Sequence, residues 1–111
     1  MSCNTIPYQR PWPVARAGRT WAGVRYQVAG TGTLTEVTAV VKDSAGTTAL
    51  TLSSASTGAT LTTGTSGAWD FEIDQITAVS LASGFYSFEI TLTLASGEIT
   101  DWFVGDWRVK D

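Results

Sequence analysis

Residues 84–111, GFYSFEITLTLASGEITDWFVGDWRVKD, constrain the fold more than any other stretch of the chain. Tyr86, Phe88, Ile90, Leu92 and Leu94 alternate with Phe85, Ser87, Glu89, Thr91 and Thr93. A period of two turns one face of a strand inward and leaves the other mostly polar. Ser96 and Gly97 mark a turn, after which a strand returns over 98–104 and a short run follows over 107–109. The expectation is an antiparallel hairpin with a kink or bulge at Gly105, where the absence of Cβ permits bending. Any fold for this chain has that hairpin in its core.

The rest of the chain has the same grain. Strands are predicted over 19–28, 35–42, 48–53, 59–62 and 68–73, separated by Gly-, Ser-, Asp- and Thr-rich turns. Asp43, Ser44, Ala45 and Gly46 form one of these turns. Trp69, Phe71 and Ile73 share an inward face, and Trp69 is the tryptophan expected in the core. For residues 74–83 a helical turn capped by Asp74 and an irregular crossover both fit. About seven short strands at this spacing predict an all-β fold, an immunoglobulin-like antiparallel β-sandwich. At 111 residues the chain makes one domain with one modest core.

Ahead of the sandwich, over 19–111, lies an arm over 1–18. Pro7, Pro11 and Pro13 fix φ and remove backbone donors there, which favours an extended segment. Tyr8 and Trp12 sit among the prolines, either as incidental aromatics of a floppy tail or, the favoured reading, as anchors that dock on a neighbouring molecule. Charge points the same way. Arg10, Arg16, Arg19 and Arg25 precede the first acid, Glu36, and from there ten acids face Lys42, Arg108 and Lys110, within a net charge of −3. A basic arm on the acidic body of another copy is the arrangement this layout suits. Deleting such an arm is expected to leave a folded but less assembled protein. A net-acidic chain without a Lys/Arg cluster is not expected to bind nucleic acid. No apolar run approaches the roughly 18 residues that span a membrane. The opening MSCNTIPYQRPWP lacks the features of a signal peptide, and the single Cys3 permits no intrachain disulfide, so synthesis in a reducing compartment is expected.

Chemistry has few footholds. With no histidine in the chain, Ser-His-Asp and Cys-His arrangements and the commonest metal ligand are excluded. Asp70, Glu72 and Asp74 alternate along one strand at about 6 to 7 Å spacing. That distance resembles a glycosidase pair, but solvated acids on a polar strand face explain them without further assumption. A calcium site from these acids, or from Asp101 and Asp106, has no EF-hand spacing behind it. No enzyme, cofactor or metal is therefore expected. Tryptophan is the unusual residue, at positions 12, 21, 69, 102 and 107. An exposed Trp on a sandwich anchors a protein interface or stacks on a sugar. The candidate interface set is Tyr8, Arg10, Trp12, Arg16, Trp21, Trp102 and Trp107. The alternative is a carbohydrate-binding module that uses Trp21, Trp102 or Trp107.

Read in order, VKDSAG at 41–46, ALTL at 49–52, WDFEI at 69–73, GFYSFEI at 84–90, LASGEI at 94–99 and GDWRV at 105–109 resemble a family of small phage tail and baseplate modules, close to the N-terminal β-sandwich domain of siphophage upper baseplate proteins. The likeness covers about residues 19–109 and consists of turn and strand patterns. It implies an immunoglobulin-like sandwich that is a non-enzymatic component of a bacteriophage virion, made in the host cytoplasm. Its partners would be other virion proteins and copies of itself. The stalk or receptor-binding region common after such domains is not expected here, and the Pro-rich arm is foreign to the pattern. An adaptor, decoration or ring component of tail, baseplate or capsid is the expectation.

Overall fold

The structure, a computed structural model, describes residues 8, 9 and 11–111, without the side chains of residues 8, 9, 101 and 102. Arg10 and the side chains of Tyr8 and Trp102, all in the candidate set, thus lie outside the described residues. The described chain contains nine strands and no helix. They are β1 (Tyr8–Gln9), β2 (Ala15–Arg16), β3 (Val24–Val28), β4 (Leu34–Lys42), β5 (Thr48–Ser53), β6 (Ala59–Thr63), β7 (Trp69–Ile73), β8 (Gly84–Leu94) and β9 (Ile99–Lys110).

Two sheets form. The larger runs β1-β9-β8-β4-β5, with β2 also on β9, and the smaller runs β3-β7-β6. This is an all-β sandwich, and its strand order is that of a variable-type immunoglobulin domain: β9, β8, β4 and β5 stand for G, F, C and C′, and β3, β7 and β6 for B, E and D. Alternation builds it. Val37, Ala39 and Val41 of β4, Phe88, Ile90 and Leu92 of β8, and Phe103, Trp107 and Val109 of β9 are buried in one core with Trp69, Phe71 and Ile73 of β7. The Asp43 turn forms as expected, its Oδ1 accepting from the amides of Ala45 at 2.9 Å and Thr47 at 3.0 Å.

Between β7 and β8 the chain takes the irregular crossover, tied down by bridges Trp21↔Ile76 and Ala17↔Val79. At its end the Tyr86 hydroxyl donates to the Ala82 carbonyl at 2.7 Å. A tyrosine near the start of strand F that bonds the backbone just upstream is the tyrosine corner of Greek-key sandwiches. The spacing of Leu81, Gly84 and Tyr86 was the available signal for it.

The expected kink at Gly105 is not where the ladder breaks. Gly105 pairs with Phe88 within an unbroken β9, and the register shifts at Ile90/Thr91, which face Phe103 and Asp101. Two residues of β9 there match one step of β8, so the bulge is at position 102. The first long strand also begins later than expected, at Val24. Gly23 has φ +87°, and a Cβ there would strike the Ile73 carbonyl, so the chain turns a corner at Gly23 before it enters the sheet.

Candidate assembly surfaces

The N-terminal segment was expected to reach a neighbouring molecule, but its described part packs on its own domain. β1 and β2 run parallel to β9, with Tyr8 opposite Phe103 and Ala15 opposite Val109. Between them the Trp12 amide donates to the Asp106 carbonyl at 3.0 Å. Beyond them Ala17 N–H reaches the Lys110 carbonyl at 2.7 Å, and Gly18 N–H the Val79 carbonyl at 2.8 Å. Pro11 and Pro13 lie on the outermost strand line, where a missing donor costs no ladder bond.

Trp12, Trp21 and Trp107 are accordingly core residues, at 3%, 3% and 0% exposure, rather than surface anchors. The Trp12 ring stacks on Phe88 with centroids 4.0 Å apart and planes 13° from parallel. Trp107 lies edge-on to Trp12 at 5.2 Å and tilted against Trp21 at 4.8 Å. Every indole N–H of this cluster is satisfied. Trp12 donates to the Tyr26 hydroxyl at 2.8 Å, while Trp21 and Trp107 both donate to the Pro13 carbonyl, at 2.9 and 3.0 Å. A carbonyl has two lone pairs, and here each takes one indole. The same burial removes Trp21 and Trp107 as sugar-stacking platforms. Arg16 is the one candidate with a described, exposed side chain, and its Nη1 donates to the Asp111 carbonyl at 2.9 Å.

With the aromatics inside, the surface is made of strand faces. On the outer face of the smaller sheet Arg25 grips Asp70 in a two-pronged pair, Nε to Oδ1 at 3.0 Å and Nη2 to Oδ2 at 2.6 Å. Asp74 accepts from the Thr60 hydroxyl at 2.7 Å. The hydrogen bonds from Arg25 hold the Asp70 carboxyl below its ordinary value, and the same pairing raises Arg25. A depressed folded-state value contributes stability at neutral pH that is lost as pH falls through the folded value. Arg25→Gln should therefore lower stability slightly at pH 7 and leave it unchanged once Asp70 is protonated, which flattens the acid limb below the usual carboxylate range. Urea midpoints of both proteins across that limb check this, and parallel limbs would show the pair to be inert.

The outer face of the larger sheet is the broader surface. Its central row reads Val40, Glu89, Val104 and the next Lys42, Ser87, Asp106, in register across β4, β8 and β9. Pro11 walls a shallow groove of about 460 Å³ over these rows. The two ends differ. At one, Phe85 is opposite Arg108, whose guanidinium carbon lies 5.0 Å from the ring centroid. Val14 follows abreast of Arg108, and Arg16 pairs with Lys110. At the other end the row is Glu36, Thr93, Ile99, with Glu98 in the adjoining turn. Among the described residues Phe85, Ile99 and Val14 are the exposed large apolar side chains, at 68%, 66% and 54%. Sequence reasoning missed Phe85 and Ile99, although both fall at outward positions of the strand alternation. Among the described residues no three Cys, Asp or Glu side chains are grouped to hold a metal ion. No protein-family model, no curated protein and no solved structure matches this chain.

Proposed function

We propose that this protein is a non-enzymatic structural module of a bacteriophage particle, an adaptor, decoration or ring component. What supports the reading is where the resembling segments fall. VKDSAG is the end of β4 and the β4–β5 turn, WDFEI is β7, GFYSFEI begins β8, LASGEI makes the β8–β9 hairpin, and GDWRV closes β9. They fall in chain order on strands and turns of the sandwich. Its assembly surfaces are strand faces, above all the outer face of the larger sheet. The N-terminal segment takes part indirectly, by completing the fold.

The test is whether the chain travels with particles. Phage particles from the producing culture are banded on a density gradient and probed with antibody against the purified domain. Constant stoichiometry with the major particle proteins, across bands and after a high-salt wash, is the expected result. Confinement of the chain to the soluble fraction would overturn the reading.

A further inference from the structure

The outer face of the larger sheet carries opposite charge at its two ends, and each end has an exposed apolar side chain at its centre. At one end Arg108 lies over Phe85, with Lys110 and Arg16 paired on the row beyond it and Asp106 as the acid of the row before it. At the other end Glu36 shares the row of Ile99, and Glu98 precedes it. Along β8 the ends are separated by the eight residues from Phe85 to Thr93, roughly 27 Å at strand rise. We infer that this face is a homotypic interface, on which a second copy of the chain packs with its strands antiparallel. The cationic Phe85 end of one copy then covers the acidic Ile99 end of the other, and the reverse, about a two-fold axis.

The chemistry selects both the occupant and its orientation. An isologous interface must be self-complementary, because one patch meets itself. This face meets that condition only head over tail: a two-fold with parallel strands brings the cationic end of one copy onto the cationic end of the other, and the acidic end onto the acidic end. Like charges apposed at an interface cost binding, whereas complementary ones steer and fix the register. An acidic partner would suit one end and a basic partner the other, but a second copy suits both together. The central rows combine Val40, Val104 and Ser87 with the charged Lys42, Glu89 and Asp106, and Glu89 lies opposite Ser87 of the second copy when the faces are offset by one residue pair. Phe85 with Arg108 above its ring is a cation–π pair, and arginine is among the residue types enriched where interfaces carry most energy.

The area is adequate and no more. Five strands at about 4.8 Å spacing and a length of roughly 27 Å give about 500 Å² on each copy. The total of roughly 1,000 Å² is at the lower bound of specific interfaces. The free chain should therefore dimerise weakly, at micromolar to millimolar concentration, and more weakly as salt screens the ends. The pairing concerns the chain alone and does not rest on its presence in particles.

Sedimentation velocity over a concentration series at low salt tests it, with two charge-reversed variants. One is Arg108→Glu with Lys110→Glu, the other Glu36→Lys with Glu98→Lys. All four sites are at the surface, where substitutions leave stability nearly unchanged, and thermal midpoints verify that. The expected result is a closed monomer–dimer equilibrium for the native chain, weakened about tenfold or more in each variant by itself. An equimolar mixture of the two variants should dimerise again, since in the antiparallel pair both ends are once more opposite in sign. A native chain that stays monomeric throughout, unaltered dimerisation in the variants, or an open-ended series of oligomers would each overturn the proposal.

Discussion

A chain beginning at residue 19 should not fold. Removing residues 1–18 takes away Trp12, which is 3% exposed, and strips cover from Trp107, Trp21 and Phe88, none more than 3% exposed. It also deletes the Pro13 carbonyl that accepts both the Trp21 and Trp107 indoles, leaving two donors in a poorly hydrated site. Replacing one buried Trp by Ala costs about 3–5 kcal/mol, and a domain of this size has about 5–15 kcal/mol in total. Loss of the entire segment is comparable to that whole reserve. The expected readout is loss of the near-ultraviolet circular dichroism signal and of any cooperative urea transition. A chain beginning at Pro11 keeps Trp12, the Pro13 carbonyl and β2, and should retain a transition. If the chain from residue 19 unfolds with unchanged midpoint, the segment is dispensable to the fold, and an arm that docks on another molecule again becomes the better description.

That outcome reverses what the proline-rich composition suggests, and the reason is one of range. Pro7, Pro11 and Pro13 announce extended chain with missing donors, which is local information. Whose sheet edge the extended chain lies along is decided by contacts such as Trp107 to Pro13, 94 residues apart. Period-two alternation, by contrast, is local and strongly expressed, so β4, β5, β7 and β8 were legible nearly to their ends, as was the turn at Asp43. Gly105 misled because glycine permits a bend without requiring one. The ladder instead takes its extra residue at 102, where no glycine stands. Trp21 looked like part of a strand because it precedes one, but the positive φ of Gly23 separates them.

The candidate surface was legible only in part, for a related reason. Arg16 is far in sequence from Arg108 and Lys110 and becomes their neighbour only through the parallel pairing of β2 with β9. The sequence-level asymmetry of a basic first third and an acidic remainder is real, but the fold redistributes it. Arg25 is consumed by Asp70 on the smaller sheet, whereas Arg16 joins two cations from the last strand. Counting tryptophans pointed to the right chemistry at the wrong depth. Trp12, Trp21 and Trp107 are the mortar between β9 and the N-terminal strands, and among the described residues the large aromatic left exposed is Phe85.

Trp107→Ala should be the most damaging single substitution among these aromatics. Its side chain is fully buried, at 0% exposure, and touches both other indoles of the cluster. The expected loss is about 3–5 kcal/mol, from transfer of the ring and the cavity it leaves. It should be followed by backbone circular dichroism in urea, since the mutation removes a fluorophore, and a lower midpoint at unchanged m reports stability alone. Trp107→Phe separates ring from hydrogen bond. It retains an aromatic against Trp12 and Trp21, while the Pro13 carbonyl keeps the Trp21 donor at 2.9 Å and is not orphaned. Its cost should be clearly smaller than that of the Ala variant. Equal losses would mean that the indole N–H, and not the ring, is what Trp107 contributes. Combining Trp107→Ala with Trp12→Ala should cost less than the sum of the two, because residues in contact do not add. Strict additivity would show that the two rings stabilise the domain independently, against the packing of the N-terminal segment described above.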